Sequence, residues 1–194
     1  MPPPDVRRTG RRLRGLLAVA LVLLVLAAAY LIVTLRYALA TGNSGAYPGA
    51  FAESFAGDVR EARYLAVPGR TIEYAFSIAN RGRLPVRLDK VLAADGVDYT
   101  TAQIRMEPDS ERGFTTPVAF QPVDLRPDDQ VIIWVTLRSP DQAQQRSECG
   151  AFWFDTQRVR FTVLGMPREQ QVPLGHVIRV TTPDSAGQPC AAYK

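Results

Sequence analysis

Two hydrophobic patterns divide this chain. From Gly15 to Leu35 apolar residues run uninterrupted by charge (GLLAVALVLLVLAAAYLIVTL), and only Tyr30 and Thr34 carry polar side-chain atoms. A soluble amphipathic helix shows a polar face at 3.6-residue spacing, and this stretch has none. As a helix it spans about 31 Å, the thickness of a bilayer hydrocarbon core. The pattern predicts a transmembrane helix over 15–35.

From about Val59 the pattern becomes short alternating runs punctuated by Pro, Gly, Asn and Asp. Thr71–Ile78 alternates Ile72, Tyr74, Phe76 and Ile78 with Thr71, Glu73, Ala75 and Ser77, a half-buried strand ended by Asn80-Arg81-Gly82. Pro85–Leu92, Tyr99–Met106, Arg158–Leu164 and Val172–Thr181 read as further strands. In Val131–Arg138, the clearest of them, Val131, Ile133, Val135 and Leu137 oppose Ile132, Trp134 and Thr136. No long 3.6-residue stripe follows residue 58. Short strands with turns between them predict an all-β fold, an antiparallel immunoglobulin-like β-sandwich behind a single N-terminal transmembrane helix. Its core is expected from Ile72, Tyr74, Phe76, Val86, Leu88, Ile133, Val135, Val159, Phe161 and Val163. Residues 36–58, rich in Ala, Gly and Ser, read as a spacer, leaving 1–14 as a basic tail and 59–194 as the folded domain.

Charge sharpens this division. The net +4 is concentrated before the domain: residues 1–36 hold six arginines against Asp5, and the rest carries 17 basic and 18 acidic residues. A near-neutral domain gives no electrostatic ground for nucleic-acid binding. Five arginines precede the apolar run, and after it Arg36 is alone until Arg60. The positive-inside rule then keeps the N-terminus cytoplasmic and exports the domain. Ala38-Leu39-Ala40 has the form of a signal-peptide cleavage site. However, an apolar core of about 20 residues is longer than signal peptides carry, and Arg36 intervenes, so an uncleaved anchor is expected. The preponderance of Arg, Ala and Pro reflects GC-rich coding, which suits a bacterial source, and carries no function.

Candidate chemistry is sparse. Cys149 and Cys190 are the only cysteines. Outside the cytoplasm an even pair predicts one disulfide, closing a loop of roughly 42 residues and contributing about 4 kcal/mol. With His176 they offer soft ligands for copper or zinc, but the spacing matches no metal motif and a fourth ligand is missing, so no metal is expected. One histidine and two lysines leave nucleophile–base chemistry little to work with. The carboxylate pairs Glu107/Asp109 and Asp128/Asp129 sit beside prolines, where solvated turn acids are the norm. The reading is therefore of a protein that is not an enzyme and takes no cofactor.

The most informative segment is PDQAQQRSECGAFWFD, residues 140–155. An alternating strand buries one face, so Phe152 and Phe154 turn inward while Trp153 points out as an interface anchor. The bland alternative has all three aromatics covering the core.

Three runs carry a resemblance. IEYAFSIANRGRLPVRL resembles the strand–Asn-x-Gly–Pro-Val–strand hairpin of bacterial membrane-anchored immunoglobulin-like or fibronectin-III-like extracytoplasmic domains. FQPVDLRPDDQVIIWVTL is similar to their Leu-x-Pro turn and strand, where glycine more often stands at the position of Asp128. VRFTVLGMPREQQVPLGHVIRV resembles their closing hairpin. The resemblance implies a fold and no activity. The expectation is a single-pass protein of the cell membrane, an accessory or scaffold module of the envelope. Its partner would be another envelope or membrane protein, with Phe152, Trp153 and Phe154 as the contact; copper chaperoning and cell-wall glycan binding are the alternatives, and no small-molecule ligand is expected.

Overall fold

The computed structural model describes residues 6–50, 52–56, 59–67, 69–92, 100–107, 116–138 and 150–183. The chain forms two compact units, residues 1–37 and 38–194.

The first unit is one helix, α1 (Val6–Arg36). Its segment Leu16–Arg36 has a mean hydropathy of 3.1 and is apolar and long enough to cross a membrane. The Thr34 hydroxyl donates to the carbonyls of Tyr30 (2.9 Å) and Leu31 (3.0 Å), so this polar atom is satisfied within the helix, as hydrocarbon surroundings require. The helix starts well before Gly15, because no proline lies between Val6 and Arg14 and the arginines there are good helix formers that carry it across Gly10.

The second unit is built of strands in two sheets. In chain order they are β1 (Ala40–Ala46), β2 (Ala52–Ala56), β3 (Val59–Leu65), β4 (Thr71–Ala79), β5 (Val86–Val91), β6 (Thr100–Glu107), β7 (Val118–Ala119), β8 (Val123–Leu125), β9 (Gln130–Arg138), β10 (Ala151–Val163) and β11 (Met166–Thr181). Sheet A has the order β1-β4-β9-β6-β7, and sheet B the order β2-β3-β11-β10-β5-β8. The alternation read in β4 and β9 is the register of sheet A: Ile72 faces Leu137, Tyr74 faces Val135 and Phe76 faces Ile133. All ten expected core residues are buried.

Polar links cross this core. The Tyr74 hydroxyl of sheet A donates to Gln157 Oε1 of sheet B (2.7 Å), and Gln157 Nε2 donates to the Leu92 carbonyl. Tyr64 of sheet B donates to the Glu73 carbonyl (2.8 Å). Burial, and secondarily Tyr64, pushes the Tyr74 phenol far above its ordinary range. At the end of β4, buried Asn80 binds the carbonyls of Leu84 and Leu125 through Nδ2 and accepts from the Gly82 amide.

Two expectations are corrected. The strands are not all antiparallel: β3 pairs with β11 in parallel, from Arg60 beside His176 to Leu65 beside Thr181. Alternation shows which face a residue takes but carries no information on strand direction. Residues 36–58 are not a spacer either, since β1 and β2 lie within them and Leu39 is only 3% exposed. A Cβ on Gly42 would collide with Ser77 Oγ, and one on Gly45 would sit 2.8 Å from the Tyr47 hydroxyl. The glycines that looked like linker composition let β1 lie close against its neighbours. Gln170 completes the attachment, accepting from the Leu39 amide (2.9 Å) and donating to the Leu39 carbonyl (2.8 Å), as a paired strand would.

Candidate functional site

β10 opens with Ala151-Phe152-Trp153-Phe154, and the pleat separates these side chains by face. Phe154 is buried, edge-on to Tyr74 at 5.5 Å between ring centroids, and Phe152 stacks on it at 6.4 Å. Trp153, on the opposite face, is 67% exposed, the most exposed large apolar side chain in the second unit among the described residues.

Trp153 does not stand alone. Register places it beside Arg179 of β11, which in turn lies beside Arg63 of β3. The Arg179 guanidinium carbon is 6.0 Å from the Trp153 ring centroid, within cation–π range. Glu61 Oε1 lies 2.7 Å from Arg179 Nε and 3.2 Å from Arg63 Nε. The first contact lacks hydrogen-bond geometry, so it is an ion pair only. One carboxylate thus holds two guanidiniums, and one of those lies over the indole. The result is an exposed aromatic side chain with a charged border on the outer face of sheet B. Such a side chain binds by burying one flat apolar surface and hydrogen-bonding at its rim.

A second polar cluster lies on the outer face of sheet A. Arg105 pairs with Glu73 and sits 6.0 Å from the Trp134 ring centroid, and Trp134 Nε1 donates to Glu107 Oε1 (2.7 Å). Glu107 is only 1% exposed, and among the described residues its Oε2 has no hydrogen-bond partner. The expected solvated acid is therefore a buried one, because the end of β6 lies beside Ile132 and Trp134 of β9 instead of projecting into a turn. Sequence reasoning missed this cluster; the signal available was that Arg105 and Glu107 share the outward parity of Trp134.

Asp128 and Asp129 are exposed in the turn before β9 as expected, and Asp129 Oδ2 accepts from the Arg126 amide at 2.8 Å. Asp128 has a φ of 68°, the left-handed conformation that explains why glycine suits this position. His176 packs against Tyr47, the rings tilted by 42° with centroids 4.3 Å apart. Cys149, Cys190 and Asp109 lie outside the described residues, and with them the expected pairing of the two cysteines. Among the described residues no group of three or more His, Cys, Asp or Glu is placed to hold a metal.

No family model matches the chain. No curated protein matches it significantly. Among solved structures it is similar to the Vibrio cholerae VesB protease, at a TM-score of 0.34 and 13% identity over 63% of this chain and 30% of that one. It is also similar to a family 123 glycoside hydrolase from Clostridium perfringens, at a TM-score of 0.38 and 7% identity over 64% and 23%. The chain spans under a third of either protein. At these TM-scores neither likeness carries an argument about activity.

Proposed function

We propose that this chain is a membrane-tethered interaction or assembly module of the cell envelope. Its helix is retained as a single-pass anchor with the N-terminus in the cytoplasm, and its strands form an immunoglobulin-like β-sandwich on the outer side. The domain binds a larger membrane or envelope protein and performs no catalysis.

The observation that carries this reading is Trp153: a large apolar side chain 67% exposed, with the Arg179 guanidinium over its ring and the Glu61 carboxylate paired to that arginine. Leaving an indole in water gains the fold nothing, whereas seating it in a partner's pocket is worth several kcal/mol. Retention of the anchor is supported by Leu39, since cleavage after Ala40 would remove the residue that Gln170 clamps.

Full-length protein carrying a photo-crosslinking side chain at position 153 tests the reading in intact membranes. A discrete crosslinked partner is expected, with a control probe at exposed Arg160 giving none. Trp153→Ala should weaken the isolated complex about 30-fold. Equal recovery of the partner with Trp153→Ala would remove the basis for assigning this face.

A further inference from the structure

We propose that the bond between Ala40 and Thr41 is a processing site closed by the fold. Docking of β1 shields it from a membrane-bound signal peptidase, and only a domain whose β1 has come away is cut from its anchor. This inference rests on the retained anchor proposed above and adds a condition on its retention.

The sequence supplies the site. Ala38-Leu39-Ala40 places small residues at the −3 and −1 positions of the Ala40–Thr41 bond, shortly after Arg36, the last residue of α1. The long apolar run and Arg36 make this a slow substrate, and the fold adds a second barrier. A peptidase binds its substrate as an extended strand, through main-chain hydrogen bonds and pockets for alternate side chains. The residues around the bond must therefore be free of other strand partners.

In the folded unit they are engaged. The Leu39 amide donates to Gln170 Oε1 (2.9 Å), its carbonyl accepts from Gln170 Nε2 (2.8 Å), and its side chain is 3% exposed. Ala40 pairs with Ala79 and Thr41 with Ile78 of β4, and the Thr41 hydroxyl donates to the Pro173 carbonyl (2.6 Å). Residues −2, −1 and +1 are thus each tied to another strand, and the two side-chain ties come from β11 of the opposite sheet.

The closure is also the part of sheet A built to open first. β1 is an edge strand, and its register with β4 shifts between Thr41 and Gly45. An edge strand with an irregular ladder detaches at lower cost than the sheet unfolds. At Leu39 two side-chain hydrogen bonds from one glutamine stand where a paired strand would supply backbone partners. Loosening of either sheet therefore frees the site.

Hydrolysis adds water across the bond, its hydroxyl to the Ala40 carbonyl carbon and its remaining hydrogen to the Thr41 nitrogen. Ala40 is left with a carboxylate and Thr41 with an amino terminus. The released domain has lost Leu39, so the Gln170 clamp cannot re-form and the step runs one way. Anchorage thereby depends on an intact β1.

The test uses the full-length chain in liposomes with purified signal peptidase. Wild type should stay membrane-bound, whereas Gln170→Ala should release a soluble fragment beginning at Thr41 about tenfold faster. Thr41→Val, which loses only the bond to Pro173, should release it about threefold faster. Adding Ala38→Gln, at an exposed position, puts too large a side chain at −3 and should abolish release from both. Amide exchange locates the opening: residues 39–46 should exchange faster in both variants, and β9 as in wild type. If Gln170→Ala loosens β9 as well, Thr41→Val decides. Faster exchange at 39–46 without faster release overturns the proposal, as does release that Ala38→Gln leaves unchanged. Wild type cut at the rate of the variants sinks the retained anchor and this inference together. Wild type that stays while neither variant is released sinks this inference alone.

Discussion

Single side chains hold much of what is distinctive here. Tyr74 puts a phenol in the centre of the core, where burial raises its pKa far above the ordinary value. Because the folded value is raised, stability is intact below the unfolded value near 10 and declines as pH rises past it, by roughly 1.4 kcal/mol per unit. Tyr74→Phe should cost about 1–2 kcal/mol at neutral pH, since Gln157 Oε1 loses its donor, but should remove this alkaline slope. Denaturant titrations at pH 8 and pH 11 check it: a parallel loss in both proteins would assign the slope elsewhere. Leu164 offers the opposite case, a residue whose replacement should stabilise. Leu164→Asn relieves a left-handed leucine and supplies the turn's favoured dipeptide with Gly165, a gain of about 1 kcal/mol and about 3 °C in Tm. An unchanged or lower Tm would mean that the turn is not strained by leucine.

Among the elements, the strands legible in sequence are those whose larger apolar residues fall on one face. β5 and the second half of β10 bury that face alone, while in β4 and β9 Ala75, Ser77 and Ile132 of the other face are buried too. β1, β2 and the first part of β11 carry no such pattern: ATGNSGA and AESFA are small or polar, and from Pro167 to Gln171 the half-buried positions are the polar Arg168 and Gln170. These segments are strands because a neighbour offers backbone partners, and nothing in their own composition announces that. The attachment of β1 makes this measurable. Gln170→Ala removes both side-chain bonds to Leu39 and should cost about 1–2 kcal/mol, with faster amide exchange concentrated in residues 39–46. Uniformly faster exchange across sheet A would instead indicate general loosening. At the Trp153 platform the sequence supplied the parity of the three aromatics. The charged border did not follow from it, because Glu61, Arg63 and Arg179 come from strands far apart in the chain.

For the whole molecule, the anchor and the folded unit act together in the proposed role. An uncharged apolar helix that is kept should resist extraction from membranes by alkaline carbonate, and N-terminal sequencing of the membrane-bound protein should find residues ahead of Thr41. A soluble product beginning at Thr41 would contradict the tether and leave β1 without Leu39. Chain lacking residues 1–36 should be released into the soluble fraction, because the transfer of about 20 apolar residues into hydrocarbon is then lost.

The sequence by itself determined the features that depend on local composition and period. An unbroken apolar run can only be helical in lipid, alternating runs bury one face, and arginine asymmetry gives the expected orientation. Tertiary structure decided what depends on partners distant in the chain: the parallel pairing of β3 with β11, the recruitment of β1 and β2 into the sheets, the burial of Glu107 and the arginine contact of Trp153. The physical reason is the same in each case. Hydrophobic period reports whether a residue faces water, while strand neighbours and buried ion pairs are fixed by which segments the two sheets bring side by side.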